Sequence, residues 1–157
     1  MRLKILTLAL ALVLFIPQAF AINGTEKKIN VTVNGTEIVF SDQQPVIINE
    51  RTLLPIRSVM EAMGKSVSWE SETSTVTISD STTTVKLTIG SDVMLQSVTD
   101  EANGGSFSFE VPLDTPPMII NDRTCLPVRA VAEAFMATVD WDGATGTVMI
   151  ITADLLC

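Results

Sequence analysis

The chain contains one sequence twice, and this internal repeat constrains its fold more than any other feature. Residues 45–78 return as residues 117–150 at a constant offset of 72 positions and without a gap. Compared position by position, 18 of the 34 residue pairs are identical. A repeat of this length indicates a duplicated supersecondary unit, and we expect the two copies to pack together as one domain.

Each copy predicts a β-hairpin followed by a short helix. In the first copy, two apolar runs flank Asn49 and Glu50, a polar pair that favours a tight turn because Asn tolerates positive φ. Pro55 then marks the beginning of a helix, where a missing N–H costs no hydrogen bond. Pro127 repeats this signal in the second copy.

The helical segments carry apolar residues at a spacing that predicts one buried stripe. The stripes are Ile56, Val59, Met60 and Met63 in the first copy, and Val128, Val131, Ala132 and Phe135 in the second. Gly64 predicts a left-handed end to the first helix. Met136 stands at the equivalent position of the second copy, where we expect a helix end that is either less sharply defined or strained by about 1 kcal/mol.

Alternating apolar and polar residues predict the remaining strands. In the repeats these are residues 67–70 and 75–79, and 139–142 and 147–151; outside them they are residues 31–33 and 37–40, joined by Asn34 and Gly35, then residues 85–89, 93–98 and 106–113. The predicted fold class is therefore α+β and strand-dominated. It is a duplicated β-hairpin, short helix, β-hairpin unit, with antiparallel sheets each packed on a short helix.

The first 21 residues are predicted to be a secretory signal peptide. Arg2 and Lys4 precede an apolar run, and Ala19 and Ala21 form a small-x-small cleavage site. Repeat units are then expected at 22–84 and 85–157, with no membrane span after signal removal. The expected location is secreted or extracellular, including association with the cell wall.

The chain has no histidine and no tyrosine, which removes much catalytic chemistry. It cannot form a Ser-His-Asp triad or an imidazole-ligated metal site. With 18 acidic and 10 basic side chains, its net charge of -8 argues against nucleic acid as a partner. We therefore expect no enzyme activity, no cofactor and no metal.

The repeated motif resembles a known family. The run Asn-Glu-Arg-Thr-Leu-Leu-Pro-Ile-Arg over 49–57, followed by Val-x-Trp-Glu and a Thr-Val-Thr-Ile strand, is similar to the copper amine oxidase N-terminal-like, or stalk, domain of exported Gram-positive bacterial proteins. The resemblance spans about residues 29–152 and implies an accessory module with a small antiparallel sheet around a helix. It implies no oxidase activity, since that chemistry needs a tyrosine-derived quinone and copper-binding histidines.

Two charged pairs recur on the predicted helices. Arg57 with Glu61, and Arg129 with Glu133, are spaced i,i+4. Their recurrence favours half-buried structural ion pairs that also bond strand carbonyls over a ligand site.

Four other repeated side chains are candidate ligand contacts. Arg51 and Arg123 follow the hairpin turns and are suited to an anionic ligand, although a solvated or turn-bracing role is the favoured interpretation. Trp69 and Trp141 would stack on sugar rings if they faced solvent. Because Trp is highly buried on average, a core position is the favoured interpretation.

The two cysteines, Cys125 and Cys157, are candidates for a disulfide in an oxidising exterior. Cys125 aligns with Leu53 and so with the core. The alternative is therefore that Cys125 stays a free buried thiol and an exposed Cys157 pairs with another molecule. Residues 140–145 and the scattered methionines are weak metal candidates and are interpreted as a turn and as core residues.

The leading function hypothesis is a non-catalytic extracellular structural or binding module at the cell surface, with a cell-wall or other extracellular polymer as partner. The alternative is a self-assembling surface or filament subunit that pairs its β-edges with other copies of itself. A carboxylate-based hydrolase is the weaker alternative, because it needs two carboxylates converging in a cleft.

Overall fold

The computed structural model describes residues 28–100 and 102–155. The predicted signal peptide at 1–21 and Cys157 lie outside these residues. The described elements are β1 (Asn30–Val33), β2 (Thr36–Glu37), β3 (Val46–Ile48), β4 (Arg51–Pro55), α1 (Ile56–Ala62), β5 (Ser66–Glu70), β6 (Thr75–Ser79), β7 (Thr83–Thr88), β8 (Val93–Asp100), β9 (Gly105–Pro112), β10 (Met118–Ile120), β11 (Arg123–Pro127), α2 (Val128–Ala134), β12 (Thr138–Asp142) and β13 (Thr147–Ile151), followed by a 3-10 turn at Ala153–Leu155.

The two copies of the sequence repeat have the same order and the same bounds of secondary structure. The series β3, β4, α1, β5, β6 recurs as β10, β11, α2, β12, β13, with every element shifted by 72 residues. Both residues of each predicted turn have positive φ, 50° at Asn49 and 61° at Glu50, and 48° at Asn121 and 60° at Asp122. The strand-dominated α+β class is thus confirmed.

The two copies meet in a four-stranded antiparallel sheet of order β10-β11-β4-β3. Strands β4 and β11 pair so that Leu54 lies opposite Leu126, and these are equivalent residues of the repeat. On one side of this pair Cys125 lies opposite Pro55, and on the other side their equivalents Leu53 and Pro127 lie opposite each other. An internal two-fold relation therefore passes through the Leu54–Leu126 pair.

Two further sheets complete the repeats in different ways. Sheet β5-β6-β7-β8-β9 is antiparallel throughout, whereas β13 pairs with β1 in parallel in the sheet β12-β13-β1-β2. The parallel pair departs from the predicted antiparallel sheets. The predicted strand at 37–40 is also too long, since β2 ends at Glu37. The unit boundary predicted between residues 84 and 85 falls within β7.

One apolar core runs through both copies. The predicted stripes on α1 and α2 are confirmed, with all eight side chains buried. Both helices begin directly after a proline, Pro55 or Pro127, as expected. Gly64 ends α1 with a φ of 72°, and Met136 takes the same left-handed conformation with a φ of 60° while its side chain is 78% exposed.

Lys65 and Asp80 form the least exposed ion pair in the part of the chain that the structure describes. Nζ of Lys65 lies 2.7 Å from Oδ2 of Asp80, and the side chains are 17% and 22% exposed. The ammonium of Lys65 also sits 5.2 Å from the ring centre of Phe135, in the second copy. Burial raises the pKa of Asp80, but the hydrogen bonds from Lys65 and the N–H groups of Thr83 and Thr82 lower the pKa more, so the net shift is downward.

Replacing Met136 with Gly is expected to raise the free energy of unfolding by about 1 kcal/mol, because glycine adopts a positive φ without a Cβ clash. Urea denaturation measures the change. Met136→Ala is the matched control and should leave stability nearly unchanged, since the lost side chain is exposed. A Gly variant no more stable than the Ala variant would show that this position is unstrained.

Replacing Asp80 with Asn is expected to destabilise the fold by about 1.5 kcal/mol at neutral pH, the usual value of hydrogen bonds to a charged group. The folded-state pKa lies below the ordinary value of an aspartate, so Asp80 stabilises the fold above the unfolded-state pKa. That contribution disappears as the pH falls through the folded-state pKa.

Urea titrations of wild type and Asp80→Asn from neutral to strongly acidic pH check this dependence. The exposed Asp92→Asn change is the control for lost charge. The stability difference between wild type and Asp80→Asn should shrink on acidification, and a constant difference would contradict the assignment.

Candidate functional site

Two grooves lie where one copy of the repeat meets the other, and the internal two-fold relation makes them equivalent. The larger groove has a volume of about 840 Å³ and the smaller groove about 580 Å³. Each combines a hairpin turn of one copy with the start of the helix and the tryptophan-bearing strand of the other. Positions 42, 55–58, 67–69, 76, 119 and 122–124 line the smaller groove, and their equivalents 114, 127–130, 139–141, 148, 47 and 50–52 line the larger groove.

The tryptophans form one wall of each groove. Trp69 lies on β5 and Trp141 on β12, both strands at the free edge of their sheets. Each faces a buried valine across the strand pair, so each indole lies on the core side of its sheet. The indoles nevertheless remain 41% and 42% exposed, so the interpretation as core residues is wrong. An edge strand has no neighbour beyond it to cover the ring.

Reciprocal ion pairs between the two copies also line the grooves. Arg51 of the first copy pairs with Asp114, with Nη2 and Nε at 2.6 and 2.8 Å from the same Oδ2. Arg123 of the second copy pairs with Asp42 through the same two nitrogens. The hydrogen bond from Arg123 lowers the pKa of Asp42.

The arginines also brace their turns, as predicted, because each donates to the carbonyl of the preceding residue, Glu50 or Asp122. Asp42 and Asp114 were not predicted as site residues. The repeat could have indicated them, because Asp42 and Asp114 are also 72 positions apart and lie three residues before the two copies begin.

The helix arginines line the grooves in place of forming half-buried ion pairs. Arg57 Nη1 lies 3.7 Å from Glu61 Oε1, and the two side chains are 60% and 56% exposed. Arg57 does bond a strand carbonyl, that of Val67 at 3.3 Å, as expected. Arg129 and Glu133 form no ion pair within 4.0 Å in the described structure. The prediction of half-buried pairs is therefore wrong, and the exposed guanidinium groups of Arg57 and Arg129 lie in the grooves.

The larger groove gathers four carboxylates, those of Glu50, Asp114, Glu133 and Asp140. Across the described residues, no three His, Cys, Asp or Glu side chains are arranged to hold a metal ion. The copper and quinone of amine oxidases also do not fit this chain, because its sequence offers neither histidine nor tyrosine. Within the described part, no helix has the length and apolar character to cross a bilayer.

The fold thus defines a class of protein: a duplicated, strand-rich module with two equivalent grooves that tryptophan and arginine side chains line. The copper amine oxidase N-terminal domain model matches residues 32–150, and the chain belongs to that family. The domain is a non-catalytic part of those oxidases. Comparison with curated proteins and with solved structures gave no match.

Cys125 lies in the central sheet on β11 and is 0% exposed. Burial raises the pKa of its thiol to about 11, so the reactive thiolate is scarce at neutral pH. The disulfide with Cys157 stays a prediction, because Cys157 lies outside the described residues.

Cys125 is expected to resist alkylation in the folded protein and to react on unfolding. In a Cys157→Ser variant, iodoacetamide should add no mass under native conditions and one adduct per chain in concentrated urea, as measured by intact mass spectrometry. Rapid native alkylation would contradict the buried position. Non-reducing peptide mapping of the wild-type chain tests the disulfide itself.

Proposed function

We propose that the protein is an exported, non-catalytic binding module that holds a glycan-containing extracellular polymer, such as the cell wall, in its two equivalent grooves. The proposal joins the family's non-catalytic character with the shape and chemistry of the grooves.

The main support for this proposal is the pattern of residues that are identical in the two copies. Nine of the thirteen equivalent groove positions are identical in both copies, whereas several core positions differ in size. The identical groove pairs include Asp42 and Asp114, Arg51 and Arg123, Arg57 and Arg129, and Trp69 and Trp141; the differing buried pairs are Leu53 and Cys125, Met60 and Ala132, and Met63 and Phe135. Packing alone would favour the opposite distribution, because buried positions feel changes of volume most strongly.

Each groove offers the groups that a sugar ring requires. An indole with about two fifths of its surface exposed provides a flat apolar face and carries one polar N–H donor. The Arg–Asp pairs present fixed donors and acceptors beside it, as suits hydroxyl groups. Mostly apolar concave sites with a few placed polar groups are typical of small-ligand recognition.

Two equivalent grooves also suit a repeating ligand. A polymer that reaches both grooves binds the second at a high effective concentration, so weak individual sites give strong retention. An isolated short oligosaccharide gains nothing from the second groove. This difference makes the proposal testable with ligands of graded length.

Intrinsic fluorescence reports on the grooves alone, because the chain has two tryptophans, both in grooves, and no tyrosine. Soluble peptidoglycan glycan fragments and N-acetylglucosamine oligomers are expected to change this emission. Trp69→Ala and Trp141→Ala should each weaken retention on insoluble peptidoglycan by about tenfold or more, and the double variant should lose it.

Trp→Phe changes at both sites are the matched control, since they keep an aromatic face and should preserve part of the binding. Val39→Ala, at a side chain 81% exposed and outside both grooves, should have no effect. Circular dichroism establishes that every variant is folded. Equal retention of the double Ala variant and wild type, or no retention of wild type on any wall or polysaccharide fraction, would overturn the proposal.

A further inference from the structure

Among the described strands, the edge strand β9 has the longest unbroken run of exposed residues, from Ser106 to Glu110. Among the described residues, β9 pairs only with β8 and ends the five-stranded sheet. Phe107 is 65% exposed and Phe109 is 47% exposed, and Ser106, Ser108 and Glu110 are exposed as well. The strand contains no lysine or arginine, which natural edges commonly use to prevent pairing.

The alternation of backbone hydrogen bonds along β8 and β9 shows which N–H and C=O groups of β9 point away from β8. The N–H of Leu113, just beyond β9, donates to the carbonyl of Asp92 at 2.7 Å and thus points toward β8. Because backbone groups alternate along a strand, those of Ser106, Ser108 and Glu110 point away from β8. Pro112 falls in the same outward series, where its missing N–H costs no bond within the sheet.

We propose that β9 is a self-association site, at which two copies of this chain pair antiparallel about a two-fold axis through Ser108. Ser108 then lies opposite its partner copy, and Ser106 lies opposite Glu110, so that roughly six backbone hydrogen bonds join the chains. Phe107 faces Phe109 on the apolar side, and no two like charges meet.

The sequence of β9 favours this register over its neighbours. A register centred on Glu110 places two carboxylates opposite each other. A register centred on Phe109 pairs Ser106 with Pro112, which has no N–H to donate. Only the register centred on Ser108 uses all three outward residues and sets each phenylalanine against a phenylalanine.

This interface closes on itself, because each chain contributes the same strand to a two-fold contact. The product is therefore a dimer with a continuous sheet, and β9 pairing alone gives no filament. The inference goes beyond the proposed glycan binding and rests on the outer edge of β9 from Ser106 to Glu110, which lines neither groove.

A charge-reversal experiment tests the site and its register. The full-length chain, expressed for export, is measured by analytical ultracentrifugation over a range of concentrations. Wild type should form a dimer. Ser108→Lys and Ser108→Glu should each weaken the dimer by about a hundredfold or more, because identical charges then meet at the two-fold axis. Mixing the two variants should restore dimers, since opposite charges then meet.

Leu95→Lys, on β8, is the matched control: it places the same charge on an exposed side chain away from the free edge and should leave the dimer intact. Salt should partly restore the dimer of Ser108→Lys by screening. A wild-type chain that stays monomeric at every concentration overturns the proposal. So does a dimer that Ser108→Lys leaves intact, which would place the contact elsewhere. Glycan binding is measured separately, so either proposal can fail without the other.

Discussion

The antiparallel contact between β4 and β11 is the interaction on which the rest of the structure depends. Leu54 and Leu126, both fully buried, lie opposite each other at the centre of the internal two-fold relation. A slip of one residue would turn every side chain of these strands to the other face. It would also separate Arg51 from Asp114 and its equivalent pair, and with them the walls of both grooves. The central register therefore determines the position of the candidate site.

Around this symmetric centre the two copies are completed differently. Strand β6 continues antiparallel into β7, whereas its equivalent β13 pairs in parallel with β1 from the beginning of the described chain. The larger groove accordingly receives Met94, Gln96 and Val111 from β8 and β9, and the smaller groove has no equivalent residues. The difference between the two groove volumes thus follows from the strands added outside the repeat. The ion pairs and tryptophans, which belong to the repeat, are the same in both.

Local structure could be predicted from this sequence because its signals are local. The Asn49–Glu50 turn, the helix starts after Pro55 and Pro127, and the left-handed Met136 all follow from residue type and spacing. The grooves could not be predicted from the sequence, because their position depends on how distant segments of the chain pair. The average burial of Trp predicts a core position for Trp69, which is wrong, because only the sheet order shows that β5 is an edge strand. The parallel β1–β13 pair joins residues more than a hundred positions apart and leaves no local pattern.

The exposed aromatic residues occur at two different kinds of location, and the two proposed roles of the domain follow this division. The indoles lie in concave grooves beside fixed charges, where the room and polarity suit a small polar ring. Phe107 and Phe109 lie on the edge strand β9, whose outward backbone groups suit another strand better than a sugar. Strand β9 links the two locations, because Val111 lines the larger groove while the outer edge of the same strand stays open. Pairing at that edge leaves the groove-facing side of the strand in place, so a dimer would double the number of grooves. A polymer bound by several grooves at once would then be retained far more strongly than any single groove allows.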